Sequence, residues 1–235
     1  MSKKLGIIGG MGPLATAYLF KKIVLLTDAN SDQEHLHILI DNNTSIPDRT
    51  SYIRGLGEDP SKYLIESAKR LENMGAEFLI MPCNTAHYFY EDIVKEINVP
   101  FLNMIEESVK FVIARNENIS KVGLLATDGT CSTGIYDKYF QNYGVEVIKP
   151  SKAMQFHVMD LIYAIKKGNK EITLEGFYKT VEEIREQGVE VLVLGCTELS
   201  SAYGIFKMKG SYIDPLEIIA IRAINFSGKR SLKSL

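Results

Sequence analysis

This chain of 235 residues has neither an excess of basic side chains nor a long apolar run. Its 27 Lys and Arg against 29 Asp and Glu give a net charge of −2, so nothing attracts nucleic acid at long range. No segment approaches the roughly 20 apolar residues that cross a bilayer. The apolar stretch Leu5–Ile8 is too short for a signal-peptide core. We therefore expect a cytoplasmic protein with neither nucleic-acid nor membrane partners.

Cysteine is also scarce, with three residues in the whole chain. An odd number without an export signal argues against a disulfide framework. There is no Cys-x-x-Cys pair, and the four histidines do not stand at metal-ligand spacings from the cysteines. The sequence thus predicts no disulfide and no metal site, and the cysteines need another explanation.

Two of the three cysteines occupy equivalent positions. Cys83 follows the apolar run 77–82, and Cys196 follows the apolar run 190–195, 113 residues later. Two more pairs of segments match in the same order at offsets of 117 and 111 residues: Leu5–Thr16 with Val122–Thr133, and Leu102–Glu106 with Ile213–Glu217. The chain therefore contains an internal repeat.

Each repeat alternates short apolar strands with amphipathic helices, which is typical of a parallel sheet covered on both faces. The strands are expected at 5–9, 36–41, 77–82 and 99–102, and at 121–126, 145–148, 190–195 and 211–213. Helices are expected at 14–28, 60–74, 86–96, 134–143, 156–167, 173–187 and 215–227, with a loop at 42–50 and a turn at 127–133. The prediction is an α/β protein of two pseudosymmetric lobes with a cleft between them. Residues 1–103 and 212–235 would form the N-terminal lobe, and 104–211 the C-terminal lobe.

Ligands of parallel α/β sheets bind beyond the carboxyl ends of the strands. Both cysteines, the Gly-rich turn 9–12, the turn 127–133 and the loop 42–50 fall at such ends. A single cysteine there is usually an inert buried thiol, but two at repeat-related positions beside hydroxyl and amide groups favour function. Backbone N–H groups at the following helix starts are candidates for stabilising a thiolate.

Several neighbours of the cysteines carry hydrogen-bond donors suited to a substrate carboxylate, namely Asn84, Thr85 and Thr197. The turn 9–12 lacks the spacings of a phosphate loop. Gly10 and Gly12 either let the backbone approach a small ligand or form a tight structural turn, and the sequence leaves both open.

Three motifs together resemble the aspartate/glutamate racemase family, specifically its aspartate racemase branch. They are Gly9-Gly-Met-Gly-Pro-Leu-Ala-Thr16, Pro82-Cys-Asn-Thr-Ala-His87 and Gly195-Cys-Thr-Glu-Leu199, and the resemblance covers essentially the whole chain. Glutamate racemases carry Asp-Ser-Gly near the N-terminus and His after Cys-Thr. This chain has Gly10-Met11-Gly12 and Glu198 there, which moves the interpretation away from glutamate.

The resemblance implies racemisation without a cofactor, with Cys83 and Cys196 as the two catalytic bases on opposite faces of an amino acid. It also implies that Arg49 binds the distal carboxylate of aspartate, that Lys166 rather than Lys167 is the substrate-binding lysine, and that the protein is a homodimer. The expected substrate-binding residues are Met11, Arg49, Asn84, Thr85, Thr127, Thr130, Lys166, Thr197 and Glu198.

Aspartate is the expected substrate, with glutamate or a broader range of amino acids open. Hydantoin racemases and maleate isomerases share the scaffold and stay alternatives, whereas arylmalonate decarboxylases keep one cysteine and fit less well. A non-catalytic protein that captures a dicarboxylate is the alternative from another class. His87 has a packing or a proton-transfer role, and Cys131 is expected to be a small core residue because its repeat partner is Leu14.

Overall fold

A computed structural model describes residues 2–169 and 171–235. The first half of the chain contributes strands β1 (Leu5–Gly9), β2 (Ile38–Asn42) and β3 (Phe78–Ile80). Its helices are α1 (Pro13–Leu26), α2 (Arg49–Ile53), α3 (Ser61–Asn73), α4 (Tyr90–Val94) and α5 (Met104–Arg115). Short 3₁₀ helices cover Asp32–Glu34 and Thr85–Phe89.

The second half repeats this alternation with strands β4 (Lys121–Ala126), β5 (Glu146–Ile148) and β6 (Val191–Gly195). Its helices are α6 (Asp128–Thr133), α7 (Ile135–Gln141), α8 (Lys152–Lys166), α9 (Glu175–Arg185), α10 (Thr197–Ile205) and α11 (Pro215–Phe226). In the described part of the chain, no helix combines the length and apolarity needed to cross a bilayer.

The strands form two separate three-stranded parallel sheets with the same topology. Their orders are β2-β1-β3 and β5-β4-β6, so the first strand of each repeat is central. Tight packing beside the central strands explains the repeated glycines, because a Cβ at Gly6 or Gly123 would lie 2.5 Å from a leucine of the neighbouring strand. The predicted α/β fold with two related parallel-sheet lobes is confirmed. The exact lobe boundaries stay a prediction.

Each sheet has apolar layers on both faces, as its continuous Val, Ile and Leu strands require. In the first half, one layer packs β1 and β3 against α1 and α11, and the other packs them against α3. In the second half, α5 and α7 cover one face, and α8, α9 and α10 cover the other. Helix α11 therefore packs on the first sheet although it follows the second in sequence.

Four predicted elements differ from the structure. The expected strands 99–102 and 211–213 reduce to single parallel bridges, Leu79 with Phe101 and Val193 with Ile213. The expected turn 127–133 is the helix α6, because the Thr127 hydroxyl caps it by accepting the Thr130 N–H. The expected helix 86–96 begins instead as the 3₁₀ turn Thr85–Phe89.

Side chains cap the helices that follow the two bridges. The Asn103 side chain caps α5 by accepting the N–H groups of Ile105 and Glu106, and Asp214 caps α11. Among the described residues, neither Glu106 nor Glu217 bonds back to the N–H of the capping residue. Glu106 pairs with Lys110, and Glu217 with Lys22 and Lys233.

Candidate active site

The two repeat-related cysteines follow the third strand of each sheet. Cys83 comes three residues after β3, and Cys196 comes directly after β6. Both are buried, with 6% and 5% of their surface exposed. Because the central strands β1 and β4 end at the same edges, the segments after them lie beside the cysteines.

One small pocket contains both cysteines, and we call it the inner pocket. It is lined by Met11, Asp48, Arg49, Thr50, Cys83, Asn84, Thr85, Thr127, Lys166, Cys196, Thr197 and Glu198. All the sequence-predicted site residues except Thr130 are thus brought together. The free space is about 10 Å³, which is room for about one water molecule, so an amino acid needs the pocket to widen.

Glu198 determines the state of Cys196. The Cys196 thiol donates a hydrogen bond to Glu198 Oε2 at 2.9 Å. Burial and the Glu198 charge raise the pKa of Cys196 well above its usual value, although the Lys166 ammonium opposes the shift. The backbone N–H of Glu198 at the start of α10 does favour the Cys196 thiolate, as expected, but burial and the Glu198 carboxylate outweigh it. This thiol holds its proton at neutral pH.

Lys166, the last residue of α8, brings a positive charge to the same pocket. Burial of its ammonium lowers its pKa, but the charges of Glu198, Cys196 and Cys83 outweigh that effect, and the pKa is raised. Lys166 is thus a permanent cation whose field reaches both sulfurs. Lys167 does not line the pocket.

Arg49 is buried at the first position of α2. Its Nη1 donates to the carbonyls of Ile46 and Pro47 at 3.3 and 2.9 Å, and its Nη2 donates to the Met11 carbonyl at 3.4 Å. Its buried Nε has no hydrogen-bond partner in the described structure. The guanidinium therefore holds the loop before α2, and its buried Nε is an unpaired donor.

Asn84 offers a second unpaired donor, and Tyr136 fixes its orientation. The Tyr136 hydroxyl, fully buried on α7, donates to Asn84 Oδ1 at 2.6 Å. Burial raises the pKa of Tyr136 well above its usual value, so the hydroxyl stays a donor. With Oδ1 occupied, the buried Asn84 Nδ2 is left without a partner. Buried unpaired donors are rare and costly, so two in one pocket indicate a site for an acceptor.

Three threonine hydroxyls join the two halves of the chain behind the pocket. Thr85 Oγ1 lies 2.9 Å from both Thr127 Oγ1 and Thr130 Oγ1, and the latter two lie 3.1 Å apart. Thr130 is buried behind Thr85 and Thr127 and does not line the pocket. A Cβ at Gly129 would lie 2.9 Å from Thr50 Oγ1, so α6 approaches α2 as closely as glycine permits.

His87 has a structural position. Its Nε2 accepts the Met104 N–H at 3.1 Å, so its Nδ1 carries the proton and donates to the Cys83 carbonyl at 2.8 Å. Burial lowers the pKa of His87 to about 4. A neutral His87 therefore joins the backbone of Cys83 to the start of α5, and it does not line the inner pocket.

The remaining candidates divide between structure and site. Cys131 is partly buried and packs against the apolar layer of the second sheet, at the edge of the core that the sequence predicts for it, and burial raises its pKa to about 12. Gly10 has φ +93°, and a Cβ there would lie 2.3 Å from the Asn43 carbonyl oxygen, so this glycine is structural. A Cβ at Gly12 would lie 3.5 Å from Glu198 Oε1, so Gly12 faces the site.

Comparison with known proteins identifies the chain. Residues 8–223 match the family described as Asp/Glu/hydantoin racemase. The chain belongs to this family. The family resemblance and the isomerase class expected from the motifs are thereby confirmed.

Members of the racemase family match along nearly the full length. The chain is 30% identical to the broad specificity amino-acid racemase RacX of Bacillus subtilis, over 92% of this chain and 94% of that protein. Its structure is similar to the aspartate racemase of Picrophilus torridus, with TM-score 0.85 and 32% identity over 97% and 96% of the chains. An aspartate racemase homologue from Pyrococcus horikoshii has TM-score 0.75 and 26% identity over 96% and 99%.

Three residues were missed by sequence reasoning: Asp48 and Thr50, which line the inner pocket, and Tyr136, which bonds to the lining residue Asn84. Asp48 follows Pro47 and accepts the Ser51 N–H at 2.8 Å, so a capping signal before α2 was available in the sequence. Thr50 lies two residues after Asp48, on the first turn of α2. Tyr136 gave no signal, because its contact with Asn84 joins residues 52 positions apart.

Proposed function

We propose that the protein racemises aspartate, without a cofactor, through the thiols of Cys83 and Cys196. The observation that carries this proposal is one pocket holding two buried strand-end thiols together with the unpaired donors Arg49 Nε and Asn84 Nδ2. Thiols suit removal and delivery of an α-proton, and the unpaired donors suit carboxylates. The two-lobed fold and the racemase relatives agree with it.

The chemistry needs one thiolate and one thiol at the start of each turnover. The Cys83 thiolate takes the Cα proton, and the electron pair moves into the carboxylate to form an enediolate. The Cys196 thiol then gives its proton to the opposite face of Cα. Cys83 ends as a thiol and Cys196 as a thiolate. In the reverse reaction the Cys196 thiolate removes the α-proton and the Cys83 thiol delivers one.

The enediolate carries more negative charge on its oxygens than the substrate carboxylate does. Asn84 Nδ2, held by Tyr136, and the hydroxyls of Thr85 and Thr127 are positioned to donate to it. Donors fixed before the reaction stabilise such charge without reorganisation. The small volume of the inner pocket excludes bulk water around the thiols and strengthens these interactions.

Glu198 sets which cysteine starts as the acid. Its carboxylate accepts a hydrogen bond from the Cys196 thiol. No hydrogen bond to the Cys83 sulfur occurs among the described residues. Cys196 is therefore the thiol that delivers a proton when Cys83 acts as the base.

Aspartate is the proposed substrate because its second carboxylate meets two cations. Arg49 Nε is unpaired and buried, and the raised pKa of Lys166 keeps that residue charged. The homodimer implied by the family resemblance is kept as part of the proposal, and sedimentation velocity tests it.

Exchange of the Cα proton of aspartate in heavy water tests the function. The wild type should label both enantiomers, and Cys83→Ser or Cys196→Ser should lower racemisation at least about 100-fold. Cys131→Ser, outside the pocket, is the matched control and should keep the wild-type rate. A protein that only binds aspartate would show no exchange, and near-normal turnover of either pocket variant would exclude the two-thiol mechanism.

A further inference from the structure

A second cavity of about 260 Å³ adjoins the inner pocket, and we call it the outer cavity. The two spaces share five residues, which we call the collar: Met11, Asp48, Arg49, Lys166 and Glu198. Beyond the collar, apolar side chains form much of the wall, including Leu14 at the start of α1, Ile46 before α2, and Ile165 on α8. Leu14 is 48% exposed, and Ile46 and Ile165 are buried.

The placement of donors fixes the direction of a bound amino acid. Asn84, Thr85 and Thr127 line only the inner pocket, so an α-carboxylate held there points away from the outer cavity. With Cα between the thiols, the side chain points toward the collar. A side chain longer than that of aspartate therefore passes the collar and enters the outer cavity.

The collar carries no net formal charge. Arg49 and Lys166 bring two positive charges, and Asp48 and Glu198 bring two negative ones. Both N–H groups of Arg49 Nη1 and one of Nη2 donate to backbone carbonyls, which leaves Nε and the second Nη2 N–H for a ligand. The collar thus has donors for a second carboxylate, while its balanced formal charge does not require the side chain to be an anion.

We infer that the enzyme also racemises neutral amino acids with long apolar side chains, such as methionine and leucine, which it seats in the outer cavity against Leu14, Ile46 and Ile165. This inference rests on the proposed racemase function and extends its substrate class. Burial of the side chain against the apolar wall supplies the binding that a second carboxylate supplies for aspartate. Alanine is too short to pass the collar and gains nothing from the wall.

The first test compares Cα exchange in heavy water for L-aspartate, L-methionine, L-leucine and L-alanine. Methionine and leucine should exchange with a kcat/KM at least about tenfold above that of alanine. Exchange with aspartate alone overturns the inference and leaves the proposed function intact. If none of the four amino acids exchanges its Cα proton, both the proposed racemase function and this inference are wrong.

The second test fills the cavity from its exposed wall. Leu14→Phe should lower the ratio of kcat/KM for methionine to kcat/KM for aspartate about tenfold, because the larger ring occupies the space of the methionine side chain. Leu25→Phe is the matched control, since Leu25 lies on the same helix, is 62% exposed and does not line the cavity. It should leave the ratio unchanged.

An equal fall for both substrates in Leu14→Phe would show that the outer cavity serves only as the entrance to the site, which overturns the inference. An unchanged ratio together with unchanged rates would show that Leu14 does not meet the substrate side chain, which also overturns it.

Discussion

The thiol of Cys196 donates a hydrogen bond to the carboxylate of Glu198 at 2.9 Å. The residue two positions after Cys83 is Thr85, whose hydroxyl is bonded instead to Thr127 and Thr130. The internal repeat therefore places two equivalent cysteines at the strand ends and gives them different neighbours. In the proposed mechanism, Cys196 delivers the proton and Cys83 removes it.

Glu198→Gln should move the alkaline limb of the kcat/KM profile to lower pH. That limb reports loss of the proton from the acid catalyst, here Cys196. The Glu198 charge raises the pKa of Cys196, so its removal lowers that pKa. The control is Glu190→Gln, which removes an exposed charge just before the opposite end of β6. A limb that stays in place or moves to higher pH would contradict the role of Glu198.

Lys166→Gln should raise KM for aspartate about tenfold, because one charged donor to the distal carboxylate is lost. Lys167→Gln removes the same charge one residue later, at a position that lines neither the inner pocket nor the outer cavity. Steady-state kinetics of both variants should show the change for Lys166 alone. An equal rise of KM in both variants would mean that the positive charge at the end of α8 acts at a distance, and that Lys166 does not contact the substrate carboxylate.

Tyr136→Phe should lower kcat/KM for aspartate about tenfold, because the Asn84 amide is no longer held with Nδ2 toward the substrate. The melting temperature should also fall, since Asn84 Oδ1 loses its buried partner. Tyr139→Phe is the matched control on the same helix, because its hydroxyl accepts from Asn103 and does not reach Asn84. A Tyr136→Phe enzyme that is less stable yet fully active would limit Tyr136 to a packing role.

His87 should make stability depend on pH. Its pKa falls from 6.5 to about 4 on folding, so the unfolded chain binds a proton that the folded protein does not. Its contribution is present above pH 6.5 and is lost as the pH falls toward 4. Between pH 7 and pH 4, the free energy of unfolding should fall by about 3 kcal/mol more in the wild type than in His87→Gln.

Urea denaturation at both pH values measures this difference. The exposed His37→Gln is the control and should behave as the wild type does. The same pH dependence in His87→Gln and in the wild type would mean that His87 is not the group responsible.

The sequence predicts the fold of this racemase well, because its periodicity and internal repeat both survive in the structure. The strands at 5–9 and 121–126 match β1 and β4 as predicted. The strand expected at 211–213 is only a single bridge at Ile213. Whether a short segment pairs along the whole of a neighbouring edge strand depends on tertiary contacts, which the local sequence does not show. Helix α6 was missed because hydroxyl residues dominate it, and their capping role appears only with the backbone geometry.

The candidate site was predictable as a set of residues and not as a set of contacts. Spacing and motifs placed Cys83, Cys196 and their neighbours at one edge. The bonds of Arg49 to backbone carbonyls, and of Tyr136 to Asn84, join distant segments and depend on packing. The bond between Cys196 and Glu198 depends on the turn into α10, which orients both side chains toward one another.

The two-thiol mechanism is tested most directly by the isotope at Cα of the first product. L-aspartate is converted in heavy water to a few per cent, and the deuterium content of both enantiomers is measured by mass spectrometry after chiral separation. Because product receives its proton from the second thiol, which exchanges with solvent, we predict D-aspartate that carries deuterium from the first turnovers. D-aspartate that retains the hydrogen of its substrate would require one group to serve both faces and would contradict the account.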